Sequence, residues 1–182
     1  MKHGEGHTIY MLGIGGIGMS ALARYYHSFG YTVAGYDRTP SPLTKQLENE
    51  GMAIHYEDNP NQLPALIDIV IYTPAVPQDL KEFEVLRQRG IPILKRSEAL
   101  GQVSEHHFTI AVAGTHGKTT TTAMVAHILY TCGKNTTAFN SEFCRKCHEI
   151  CKASKSNSGS ADLDSKESRR YGYYHTGYRQ RY

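Results

Sequence analysis

The sequence contains no tryptophan, only five phenylalanines, and no cysteine before Cys132. With cysteine missing from the first 131 residues, a disulfide framework is excluded for that stretch, and a reduced compartment is the natural expectation. No apolar run approaches the roughly 18 residues that a membrane-spanning helix needs. Nor does the opening, Met1-Lys2-His3-Gly4-Glu5-Gly6, look like an export signal, since it leads straight into a strand-like stretch. These features together predict a cytoplasmic protein with no membrane partner. Charge of one sign is also scarce. The formal net charge is +3, and Ser141 to Tyr182 carries nine Lys/Arg against five Asp/Glu, or +4, which leaves −1 for residues 1–140. The basic excess therefore belongs to the last segment, and no nucleic-acid partner is expected for the rest.

What is present is an alternation of short apolar runs and helix-period segments. Thr8 to Leu12 reads as a buried strand, Tyr31 to Tyr36 as a second, and Asp68 to Tyr72 as another. Between and after them, Leu43 to Glu50 and Leu80 to Arg89 read as helices. Met52 to His55 and Ile91 to Leu94 read as short strands, and Gly90 suits a helix C-terminus. Ser97 is placed to cap a short helix running through Leu100. Alternation of this kind predicts an α/β fold with a parallel sheet covered on both faces.

Two glycine-rich loops interrupt the pattern. The first, Gly13-Ile14-Gly15-Gly16-Ile17-Gly18, follows the first strand and leads into a helical face marked by Met19, Leu22 and Tyr26. Asp37 ends the second strand about 20 positions on, where a dinucleotide fold places the acid that holds a ribose hydroxyl. In such a loop the glycines give a tight turn, close backbone approach to a diphosphate, and close helix–strand packing. The other reading is a glycine-rich turn with no ligand. Thr73-Pro74-Ala75-Val76-Pro77 follows a strand end, where open α/β sheets bind ligands, although its prolines would also serve a plain turn.

The second loop, Ala113-Gly114-Thr115-His116-Gly117-Lys118-Thr119-Thr120, lies between the apolar run Phe108 to Val112, read as a strand, and a helix-period stretch from Met124 to Leu129. Strand, Gly-Lys-Thr loop and helix form the arrangement that cradles nucleotide phosphates on backbone N–H groups and a helix N-terminus. Lys118 would reach the β/γ-phosphates of ATP, and the Thr119 hydroxyl would ligate Mg²⁺. The glycine that usually stands six positions before the lysine is replaced by Val112. A turn carrying a surface lysine is the competing reading.

Taken in order, Gly-Ile-Gly-Gly-Ile-Gly-Met-Ser, Thr-Pro-Ala-Val and Ala-Gly-Thr-His-Gly-Lys-Thr-Thr-Thr-Thr resemble the Mur ligase family, from Thr8 to about Phe139. His116 resembles the branch that adds L-alanine. This resemblance implies a Rossmann-like domain over residues 1–104 that holds UDP-N-acetylmuramate. Gly13, Gly15, Gly16, Ile17 and Gly18 would lie at the diphosphate, with Asp37, Thr73 and Ala75 near the uridine. It also implies that residues 105–139 begin a P-loop ATPase domain, with ATP on Gly114, Thr115, His116, Gly117, Lys118, Thr119 and Thr120, and Lys118 as the catalytic cation. ATP would phosphorylate the muramoyl carboxylate, and L-alanine would attack the acyl phosphate. A dinucleotide-dependent oxidoreductase and a non-catalytic nucleotide-binding module stand as alternatives.

The resemblance stops near Asn140. Residues 140–182 turn to Cys, Ser, Lys, Arg and Tyr with few aliphatics, which predicts a disordered segment, unrelated to the family or read out of frame. Cys144-Arg145-Lys146-Cys147-His148 and Cys151 have spacings seen in haem and zinc sites, but no second cysteine pair accompanies them. The chain is therefore expected to be truncated relative to the family, binding a UDP-sugar without completing ligation.

Overall fold

The computed structural model describes Gly4 and residues 6–105, 107–134 and 136–139. The expectation of a disordered tail, and the cysteine cluster from Cys144 to Cys151, lie outside the described residues. Five parallel strands form one sheet: β1 (Thr8–Leu12), β2 (Thr32–Tyr36), β3 (Ala53–His55), β4 (Ile69–Tyr72) and β5 (Ile93–Lys95), in the order β3-β2-β1-β4-β5. Helices α1 (Ile17–Ser28), α2 (Pro42–Asn49), α3 (Lys81–Gln88) and α4 (Arg96–Glu105) alternate with them, and α5 (Lys118–Thr131) follows. The chain divides between Gln102 and Val103.

Successive residues of β1 are buried, Ile9 and Met11 pointing one way and Tyr10 and Leu12 the other, so both faces of the sheet are covered. On one face Tyr10, Leu12, Ala34, Tyr36 and Val70 meet Phe83 and Leu86 of α3, together with Leu63 and Val76. Burying side chains of this size contributes about 1.5–3 kcal/mol each. Helix α2 opens on a capping box between Ser41 and Thr44, with Pro42 in its first turn. Arg24 of α1 holds Glu50, just past α2, through Nε at 2.7 and 2.9 Å.

A polar cluster crosses the core beneath the sheet's central strand. Tyr10 Oη lies 2.5 Å from Glu82 Oε2 and 2.7 Å from His55 Nε2, while His55 Nδ1 lies 2.9 Å from the Glu57 carbonyl oxygen. Glu82 is fully buried and its Oε1 accepts the Asn59 N–H. The Glu57 carbonyl can only accept, so His55 Nδ1 carries a proton. Two arrangements with the same proton count then satisfy the chain. Either a carboxylate faces an imidazolium across the phenol, or Glu82 donates to Tyr10 and Tyr10 donates to a neutral His55. Burial is the largest influence on Glu82 and raises its pKa, outweighing the hydrogen bonds from Tyr10 and Asn59 and the electrostatic effect of nearby His55; it also pushes the Tyr10 phenol well up.

Two expectations fail. Ser97 lies inside α4 and caps nothing; Glu98 Oε2 instead accepts the Lys95 N–H at 2.7 Å, and the helix passes through Gly101 to Glu105. The run Phe108 to Val112 is not a strand. A strand needs a neighbour for its backbone groups, and among the described residues nothing pairs with it; Phe108 and Ile110 are exposed.

A carboxyl group whose pKa is raised on folding stabilises fully below its unfolded pKa and loses that contribution as pH rises through the folded value. The Tyr10 hydroxyl favours the ionised form, so its removal hurts more as pH rises. Tyr10→Phe is expected to cost about 1–3 kcal/mol, with the larger penalty at neutral pH than near pH ~4, as read by urea unfolding at each pH. A pH-independent penalty would contradict this account of the cluster.

Candidate functional site

Register builds the first candidate site. Leu12 pairs with Tyr36 on one side and Tyr72 on the other, and Tyr72 pairs with Lys95. Strands β1, β2, β4 and β5 therefore end level. The segments that follow them, Gly13–Gly16, Asp37, Thr73–Val76 and Arg96, emerge along one edge of the sheet, the carboxyl edge at which open α/β folds bind ligands.

The glycine loop turns back at once. The Gly13 and Ile14 N–H groups both donate to the Tyr36 carbonyl oxygen, at 2.8 and 3.1 Å. Gly13 has φ +81°, and a Cβ there would sit 2.6 Å from Thr73 Cγ2 and 2.7 Å from Val76 Cγ2, so the position requires glycine for conformation and for space. Thr73 N–H in turn donates to the Leu12 carbonyl at 3.3 Å, and Val76 N–H to Thr73 at 3.0 Å. Gly15 N–H donates to Asp37 Oδ2 at 2.7 Å, while Asp37 Oδ1 accepts the Thr39 N–H at 3.2 Å. A Cβ on Gly15 would lie 2.7 Å from both that Asp37 oxygen and Thr44 Cγ2.

The structure thus brings together Gly13, Gly15, Gly16, Ile17, Gly18, Asp37, Thr73 and Ala75, but it divides their work. The N–H groups of Gly13, Gly15 and Gly16 are committed to Tyr36, Asp37 and Gly13 itself. Helix α1 begins after Gly16 with no side-chain cap and no acid in its first turn. The N–H groups of Ile17 and Gly18 therefore stand where a helix offers donors to an anion. Sequence reasoning missed Arg96, whose guanidinium lies against Gly18: a Cβ there would be 2.8 Å from Arg96 Nη1. No spacing rule links these two positions; only the level strand ends do.

The second candidate site stands on its own. Gly114 has φ +147° and Gly117, the residue before α5, has φ +80°. Lys118 Nζ donates to the carbonyl oxygens of Gly114 at 2.6 Å and Thr115 at 3.1 Å, closing the loop on itself. Thr115, His116 and Thr120 are exposed and Thr119 is half-buried. Two left-handed glycines, a lysine and an uncapped helix start suit nucleotide phosphates. Thr119 stands in the first turn of α5, and among the described residues no three His, Cys, Asp or Glu side chains converge. No helix among the described residues is long and apolar enough to cross a membrane.

Comparison with known proteins finds the family described as "Mur ligase family, catalytic domain" over residues 8–108, a stretch that holds the first loop and the whole sheet and ends before Gly114. A UDP-N-acetylmuramate–L-alanine ligase of Christiangramia forsetii is 49% identical over 136 residues, covering 71% of this chain and 30% of the relative. The ligase of that name from Flavobacterium psychrophilum is 50% identical over 137 residues, covering 73% of this chain and 31% of the relative. Among solved structures, a UDP-N-acetylmuramate–alanine ligase of Thermotoga maritima matches with a TM-score of 0.70 and 37% identity, covering 76% of this chain and 33% of that one. The chain spans about 30% of the length of the curated relatives it matches.

The packing at Gly13 makes a measurable prediction. Gly13→Ala forces an alanine to a left-handed φ and its methyl into Thr73 and Val76, and should destabilise the first unit by about 2–4 kcal/mol in urea unfolding. A loss under about 0.5 kcal/mol would mean that the turn is not held as described.

Proposed function

This chain belongs to the Mur ligase family, and from that premise we propose that it carries the nucleotide-sugar module and the phosphate loop of the ATP-dependent ligase that joins L-alanine to UDP-N-acetylmuramate. The observation that carries the reading is the convergence of the glycine loop, Asp37 and the Thr73–Val76 segment on one sheet edge. Residues 1–104 form the UDP-sugar module, with Ile17 and Gly18 offering N–H groups to the diphosphate and Asp37 and the Thr73–Val76 segment near the nucleoside. Residues 105–139 are the start of the ATPase segment, with ATP on Gly114–Thr120. The setting is cytoplasmic, where ATP and sugar nucleotides are made.

In the proposed reaction a muramoyl carboxylate oxygen takes the γ-phosphoryl group of ATP, releasing ADP. The L-alanine amine then attacks the acyl carbon, loses a proton, and expels phosphate as the amide forms. Lys118 would serve by neutralising charge on the transferring phosphoryl oxygens, which is where phosphoryl-transfer catalysis gains most. The described residues supply Lys118 and Thr119 and no carboxylate cluster for the metal. Binding without ligation is therefore the activity we assign to this chain by itself, and the non-catalytic module is the second reading that this observation favours. A nicotinamide-dependent oxidoreductase is disfavoured by the Lys118 loop.

Calorimetric titration should find UDP-N-acetylmuramate bound more tightly than NAD; equal or tighter NAD binding would contradict the proposal. Phosphate release with ATP, Mg²⁺, UDP-N-acetylmuramate and L-alanine should not exceed that of Lys118→Ala. Alanine-dependent turnover abolished in Lys118→Ala would show that the chain ligates unaided.

A further inference from the structure

We propose that Arg96 is the diphosphate-binding side chain of the glycine loop, and that its opposition to Asp37 sets which way round a nucleoside diphosphate lies there. The inference rests on the reading of that loop as a nucleotide site and adds a residue that none of the loop's motifs contains.

Three observations carry it. First, Arg96 is the opening residue of α4 and follows directly on β5, whose Lys95 is level with Tyr72, itself level with Leu12. The backbone therefore delivers it to the edge where the glycine loop turns. Second, the Arg96 side chain lies against Gly18, in the first turn of α1. A Cβ added at Gly18 would meet Nη1 at 2.8 Å and both Cδ and Cζ at 3.3 Å, so glycine at position 18 is what allows the arginine this close.

Third, the half-buried Arg96 side chain has no acceptor or carboxylate partner among the described residues. Of the acids along this edge, Asp37 accepts the N–H groups of Gly15 and Thr39, and Glu98 that of Lys95.

A cation in that position is electrostatically costly. The N-terminus of a helix carries the equivalent of about half a positive charge, and like charge there is unfavourable. An anion between the guanidinium and the Ile17 and Gly18 N–H groups reverses the sign of both interactions. Arginine's planar fork of donors suits phosphate oxygens, and bonds of this charge-assisted kind are about twice as strong as neutral ones.

The strand order then gives the ligand a direction. Asp37 stands at the end of β2, on one side of β1, and Arg96 at the end of β5, on the other side beyond β4. A diphosphate is repelled from the Asp37 side and drawn to the Arg96 side. The nucleoside hydroxyls, which can donate to a carboxylate, are left to face Asp37.

The test is calorimetric titration of the full chain with UDP, and with uridine by competition, for the wild type, Arg96→Gln and Gly18→Ala. Arg96→Gln should weaken UDP by about tenfold or more while leaving uridine within about twofold, and should flatten the dependence of UDP affinity on salt. Gly18→Ala keeps the charge but pushes the guanidinium away, and should give the same selective loss. Unchanged uridine binding doubles as the check that each variant is folded. UDP affinity at the wild-type level in Arg96→Gln overturns the role of Arg96 and leaves the loop reading intact. Equal losses for UDP and uridine overturn it in favour of a structural role. A wild type that binds neither ligand overturns the nucleotide site and the Arg96 assignment together.

Discussion

The Tyr36 carbonyl oxygen accepts two N–H groups, from Gly13 and Ile14, and the first site depends on that bond pair. It forces the chain to reverse as soon as β1 ends, so that α1 begins after only four intervening residues with its N-terminus over the sheet edge. It also ties the turn to β2, whose next residue is Asp37, and so brings the Asp37 carboxylate to the Gly15 N–H at 2.7 Å. The turn is possible only because Gly13 takes a positive φ and leaves room for Thr73 and Val76. Parallel pairing supplies the rest: with Leu12, Tyr36, Tyr72 and Lys95 level, four strand ends present their next residues side by side.

Much of this was legible in the sequence. The strands showed as runs bounded by glycine, proline or polar residues, and β1, β2 and β4 fall within a residue of their expected bounds because each is buried on both faces. The glycine loop and Asp37 were legible because their spacing reflects local geometry, one strand, one turn and one helix. Arg96 was not, since its meeting with Gly18 depends on sheet order and register rather than on spacing. Ser97 misled because its residue type suits a cap, whereas the chain passes from β5 into α4 with no intervening residue and Glu98 does the capping from within.

The run Phe108 to Val112 is the clearest case of local signal overruled. Its composition favours a strand, yet strand formation depends on a partner for the backbone, and among the described residues none pairs with it. Helix α5 forms nonetheless, because its hydrogen bonds are internal, while Met124 and Ile128 remain exposed on it. The two glycine-rich loops therefore differ in kind. One is braced by a sheet and by neighbours on three strands. The other satisfies its own lysine with its own carbonyls.

The most direct measurement is a backbone amide NMR titration of the chain with UDP. The account predicts the largest shifts at Ile17 and Gly18, with smaller ones at Asp37 and Thr73, and little change at Gly114 to Thr120. Shifts confined to the second loop, or no response at Ile17 and Gly18 while UDP binds, would contradict it.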